Sequence, residues 1–143
     1  MLIRECLTSA PVTVPPECTL EEAAQLMGRH GVGSLLVLSG DQLVGIVTDR
    51  DISVRGVGNG KSPVTAVRTV MTESPVTVQG SADIFEAFRA IREAGVRRLP
   101  VVEGTDLAGI ITVDDLLVSL VLELGAVVSP VAKELFPPEA SSA

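Results

Sequence analysis

The sequence predicts a mixed α/β fold of the α+β kind: two tandem β-α-β-β-α units packed as a pseudo-twofold pair. Three observations predict it. The chain repeats itself at an offset of 64 positions, so that PVTV at 11–14 falls on PVTV at 75–78 and GIVT at 45–48 falls on GIIT at 109–112. No gap is needed between Ile3 and Val57, and roughly 20 of about 55 aligned pairs are identical, among them Arg4/Arg68, Glu22/Glu86, Gly31/Gly95, Gly45/Gly109, Thr48/Thr112 and Asp51/Asp115. Within each copy the apolar pattern changes from helical spacing to two continuous runs joined by a glycine-containing turn. Finally, one such unit has a three-stranded sheet that two helices cannot cover, and two copies stacked face to face bury what each leaves bare.

Each unit opens with a short extended segment, Val12–Val14 or Val76–Val78. A helix follows. In the first copy Thr19 is a suitable N-cap, Glu21 and Glu22 favour the first turn, and Leu20, Ala23, Ala24 and Met27 share a face. In the second copy Asp83 caps, and Ile84, Ala87, Phe88 and Ile91 form the stripe. Both helices stop near a glycine, Gly31 or Gly95. Next come SLLVL at 34–38 or LPVV at 99–102, a turn at 39–42 or 103–106, and a second apolar run, Leu43–Val47 or Leu107–Ile111. These pairs read as hairpins. The last helix of each unit is capped by Thr48 or Thr112, with Asp51 or Asp115 at capping-box spacing. The organisation is therefore 2–57 as the first repeat, 58–65 as linker, 66–125 as the second repeat and 126–143 as an extension, with a frayed tail at Pro137–Ala143.

The extension is more apolar than one small core requires, through Leu116, Val118, Leu120, Val121 and Leu124. It is expected to pack on a partner subunit or to cover this chain's own sheet edge, and Pro130 is expected to interrupt or bend any helix there.

Composition narrows the function. Net charge is −7, only 2% of residues are aromatic, and Trp and Tyr are absent. A nucleic-acid polymer is thus excluded as partner, whereas a few local arginines still suit a small phosphate ligand. The longest apolar run, near Leu116–Val128, is broken by Ser, Glu and Gly, so neither a membrane span nor a secretory signal is expected and the location is cytoplasmic. Cys6 and Cys18 are too few for a disulfide framework and read as two separate thiols. One histidine, His30, at a helix end, supplies no catalytic triad. GNGKS at 58–62 lacks the earlier glycine of a phosphate-binding loop, and no acidic cluster has metal-ligand spacing. No enzymatic activity and no metal are expected.

The words CLTSAPVTV and VMTESPVTV, GVRRLPVV, and GIVTDRD with GIITVDD, recurring in order across residues 2–125, resemble the CBS-domain family in its tandem, stand-alone form, the Bateman module. The resemblance implies a regulatory module that binds AMP, ADP, ATP or S-adenosylmethionine in one or two clefts between the repeats, and that pairs as a disc-like homodimer. It implies two ligand clefts. Cleft A would use Thr112, Asp114 and Asp115 with Thr8, Val12 and Thr13, and with Arg97 and Arg98 at the phosphate. Cleft B, the weaker, would use Thr48, Arg50 and Asp51 with Thr72, Val76 and Thr77, and with the uncharged Gly33 and Ser34 at the phosphate. The chemistry is sound: a carboxylate accepts from both ribose hydroxyls, a helix start offers N–H groups, and arginines hold phosphate by charge-assisted bonds.

The same residues also admit a purely structural role. Thr48 and Thr112 serve as N-caps, Asp51 and Asp115 complement helix dipoles, Arg97 or Arg98 pairs with Glu103, and His30 meets a helix C-terminus. Two functions follow: a sensor whose ligand bridges the repeats for an unidentified regulated protein to read, or a ligand-free dimeric scaffold. A redox role through Cys6 and Cys18 is the third and weakest.

Overall fold

A computed structural model describes residues 1–7 and 10–136. Thr8 and the tail expected to fray lie outside the described residues.

The first repeat runs β1 (Thr13–Val14), α1 (Leu20–His30), β2 (Ser34–Ser39) and β3 (Gln42–Thr48), then a π-helical turn, Asp51–Gly56, that passes into a 3-10 turn. The second begins with β4 (Thr72–Glu73) and continues through β5 (Val78–Gln79), α2 (Ile84–Ala94), β6 (Arg98–Glu103), β7 (Asp106–Thr112) and α3 (Val113–Leu135). Local chemistry explains the boundaries. Thr19 and Glu22 form a reciprocal capping box at α1, Asp83 accepts from the Phe85 N–H at α2, and both helices end on a glycine in the left-handed region, Gly31 and Gly95. The hairpins β2–β3 and β6–β7 are antiparallel with a bulge at the same place, Val37/Leu38 and Val101/Val102, while β1 and β5 join them in parallel.

The two repeats are not self-contained. β4 leaves its own repeat and pairs with β3, so the first sheet has order β1-β2-β3-β4 and the second β5-β6-β7. The segments leading into each repeat are exchanged as well. Val67 and Val70 complete the core of the first repeat with Leu20, Ala23, Leu35, Val37 and Val47. Their counterparts Ile3 and Cys6 complete the second with Ile84, Ala87, Leu99, Ile111 and Leu116. Matching backbone bonds secure both exchanges: Val67 N–H to the Cys18 carbonyl (2.7 Å) and Ile3 N–H to the Ala82 carbonyl (2.9 Å), with Arg68 to Pro16 and Arg4 to Gly80 beside them. The crossing chain needs space where it passes the sheets. A Cβ on Gly45 would strike Met71, and one on Gly109 would press on Leu7. This close approach accounts for a glycine at the same place in both β3 and β7.

Two expectations for the C-terminal part are revised. α3 continues through Pro130 without ending there. The missing N–H removes one bond of the ladder, and that stretch is exposed throughout. Beyond Leu120 the helix stands clear of the molecule, so it does not cover its own sheet edge. By length and composition it also reaches the range of a membrane span, with mean hydropathy 1.8 over a window of which 6% is buried.

The two cysteines are free and buried in different cores, as the reading of separate thiols expects. Burial pushes the Cys18 thiol up, and the neighbouring Glu22 carboxylate adds to the effect. Both features disfavour the thiolate that redox chemistry requires.

Candidate ligand cleft

A cavity of about 490 Å³ opens where the two repeats meet. Its walls come from three segments. The end of β3 and the following turn give Ile46, Thr48, Arg50 and Asp51; the crossing segment gives Thr72, Ser74, Pro75 and Val76; the α2–β6 turn gives Ala94 through Arg98. The volume and the mixture of apolar walls with a few polar groups suit a small-molecule ligand.

Thr48 and Asp51 are locked together. The Asp51 carboxylate accepts from the Thr48 N–H (2.9 Å) and the Thr48 hydroxyl (3.0 Å), while Thr48 Oγ1 accepts from the Asp51 N–H (3.1 Å). Thr112 and Asp115 repeat this arrangement at 3.0, 2.8 and 3.1 Å. The capping role is therefore real in both places, and it orients each carboxylate. At Asp51 the two side-chain bonds fall on Oδ2, and Oδ1 is 3.7 Å from Arg55 Nε.

The structure regroups the two arginines. Arg97 and Arg98 line the cavity with Thr48, Asp51, Thr72 and Val76, the set read as cleft B, and not with Thr112, Asp114 and Asp115. The physical reason lies in Gly33. The backbone of Arg98 pairs with Thr112 in the second sheet, but its guanidinium reaches across to the first repeat: Nη2 lies 3.1 Å from where a Gly33 Cβ would stand, with an Asp49 carboxylate oxygen at the same distance. Gly33 thus makes room for the cation, and neither it nor Ser34 lines the cavity. Glu103 is not the partner of Arg97 or Arg98 either: it lies 3.9 Å from Arg4, an exposed pair. Three cations, Arg50, Arg97 and Arg98, therefore line the same cavity as one carboxylate, Asp51. Sixty-four positions away, Asp114, Gly33 and Ser34 occupy the equivalent places, so the opposite side carries an acid and two uncharged residues.

The remaining candidates are dispersed. Thr77 is exposed and off the cavity, Val12 packs on the first core, and Thr13 borders a separate shallow pocket with Cys18, Glu22 and Arg29. His30 is the last residue of α1 and exposed, as its helix-end reading expects. Sequence reasoning missed Ser74, Pro75 and Val96. Ser74 is the one non-glycine residue with positive φ (45°) among the described residues, and its N–H donates to the Val44 carbonyl (3.1 Å) at the edge of β3. The Ser-Pro pair was the available turn signal.

Comparison with known proteins identifies the family and the fold. The CBS domain family model matches residues 3–55 and 67–122. The CBS domain-containing protein YhcV of Bacillus subtilis is 34% identical over 117 residues, covering 82% of this chain and 84% of the relative. Among solved structures, a putative signal-transduction protein with CBS domains from Burkholderia ambifaria superposes with TM-score 0.78 at 29% identity, covering 86% of this chain and 96% of that one. A CBS domain protein from Pyrobaculum aerophilum, complexed with AMP, does so with TM-score 0.79 at 25% identity, covering 88% and 99%. With both repeats matched and the exchanged-leader architecture in place, the chain belongs to the CBS domain family, as a tandem pair.

Proposed function

We propose that the chain is a non-catalytic regulatory module that takes an adenosine phosphate in the cavity at Asp51. One observation carries this reading: three arginines line a cavity of ligand size in a chain whose net charge is −7. Asp51, held by Thr48, accepts the ribose hydroxyls; adenine lies along Thr72–Val76; Arg97, Arg98 and Arg50 take the phosphate. The relative from Pyrobaculum aerophilum, complexed with AMP, supports the ligand class. A cationic cavity favours AMP, ADP or ATP over the positively charged S-adenosylmethionine. The opposite side, with Thr112, Asp114, Asp115, Val12 and Thr13, is the poorer phosphate site. The module works in the cytoplasm as a homodimer, and a partner protein reads the liganded orientation of its repeats.

Isothermal titration with AMP, ADP, ATP, S-adenosylmethionine and GMP tests this, using wild type, Asp51→Ala and Asp115→Ala. Adenosine phosphates bind wild type and Asp115→Ala alike and lose affinity in Asp51→Ala. Absence of heat with every adenosine compound establishes the ligand-free scaffold instead.

A further inference from the structure

The exposed part of α3 carries a pattern that neither the cavity nor the cores use. Leu116 and Leu120, at its start, pack on the second core. From Leu117 onward a different set recurs at alternating intervals of four and three: Leu117, Val121, Leu124, Val128, Val131 and Leu135. That is a heptad seam, with Val121, Val128 and Leu135 at a and Leu117, Leu124 and Val131 at d. Every seam residue is between 48% and 67% exposed. Ser119, Glu123 and Lys133 fall on the opposite side of the helix.

We infer that this seam packs against the same seam of a second copy of the chain, as a two-stranded coiled coil. This names the contact surface of the homodimer proposed above and rests on that reading. The spacing matters first. A 3.5-residue repeat presents one stripe to a partner helix that has the same repeat, and the seam contains no charge to bury. The residue choice is the second point: β-branched residues at a with leucine at d favour two strands in parallel pairs, and Val121 and Val128 at a with Leu117 and Leu124 at d follow that preference, while Leu135 and Val131 at the far end reverse it. The third is area. All six seam residues leave 48% to 67% of their surface uncovered, and flanking Val118 and Val127, at 59% and 66%, widen the stripe into the kind of apolar face that a standard interface of ~800 Å² per partner buries. A lipid surface fits less well. Helices lying on membranes present a Lys/Arg-rich polar face, whereas this one has Glu123 and Glu134 against a single Lys133, and a spanning helix would carry Glu123 near its middle.

Sedimentation equilibrium on the full chain tests the seam, with wild type, Leu124→Glu and Leu122→Glu compared at the same micromolar concentration. Leu122 is 69% exposed, two residues from Leu124, and off the seam. The expected result is twice the chain mass for wild type and Leu122→Glu and a single chain mass for Leu124→Glu, with unchanged circular dichroism showing that the domain remains folded. Should Leu124→Glu unfold, Val128→Asn serves in its place, with the same loss of dimer expected. A wild-type monomer overturns both the homodimer and the seam. A dimer that survives Leu124→Glu, or that both glutamates disrupt equally, overturns the seam alone. A monomer that floats with phosphatidylcholine–phosphatidylglycerol vesicles overturns it in favour of a membrane surface.

Discussion

Replacing Ile3 by alanine tests the exchanged leaders most directly. A residue three positions from a chain start is ordinarily tolerant of change. Here Ile3 is 0% exposed, sits among Ile84, Leu99, Ile111 and Leu116, and its own N–H is bonded to the Ala82 carbonyl. Truncation removes three buried carbons and leaves a cavity between elements of the second repeat that the backbone bonds prevent from collapsing. The expected loss is about 3 kcal/mol, within the ~2–5 kcal/mol span for buried isoleucine to alanine. For a chain of this size that lowers Tm by about 10 °C. Because the chain has no Trp or Tyr, urea unfolding is followed by far-ultraviolet circular dichroism, with the midpoint falling and the slope unchanged. Val67→Ala, at the equivalent place in the other core and also 0% exposed, should cost about 2 kcal/mol. A change below about 0.5 kcal/mol at Ile3, the level of an ordinary surface substitution, would refute the exchange.

Arg98→Ala should weaken AMP binding about 10- to 100-fold, the loss of one charge-assisted contact at a half-buried site, and titration calorimetry reads it directly. Gly45→Ala places a Cβ against Met71 and 3.1 Å from the Thr72 carbonyl oxygen, so it should cost about 1–3 kcal/mol in urea unfolding and weaken ligand binding through the displaced β4 segment. Glu22 and Asp83 are held below their ordinary values of 4.5 and 3.8, chiefly by the backbone N–H groups of Thr19 and Phe85. A depressed carboxylate stabilises the fold above its unfolded value and loses that contribution as pH falls through its folded one, so stability should decline on acidification below about 4.5. The double variant Glu22→Gln/Asp83→Asn should show a flatter decline in acid; an identical profile would count against these two caps.

Both hairpins and helices α1 and α2 were legible in the sequence because their signals are local: Thr19 with Glu22, Asp83, Gly31 and Gly95 each punctuate an element within a few residues. The 64-residue repeat identified the paired architecture because identical words recur in order at one fixed offset. What could not be read was the exchange of leaders. Ile3, Cys6, Val67 and Val70 look like linker or terminus, and only the tertiary crossing shows which core they enter. The site was legible in its residue types but not in its grouping. Arg98 is adjacent to Thr112 along the sheet, and the length of its side chain carries its charge to the other repeat. The continuation of α3 through Pro130 could not be read from the residue alone, because proline removes one ladder bond and crowds the preceding turn without fixing whether the helix ends there.

The crossing of chain between the repeats has a topological consequence. Cutting the linker at 58–65 would give two fragments, each holding the plug for the other's interior and neither able to close its own. The fragments would find their complements only in each other, or each in a duplicate of itself arranged head to tail in the same reciprocal embrace. The smallest autonomous unit of this fold is thus the interlocked couple and not the repeat, and the linker supplies proximity rather than architecture. Thr72–Val76 is continuous with the plug formed by Val67 and Val70. A guest pressing on one wall of the cavity therefore tugs on the interior of the opposite half through a handful of covalent bonds.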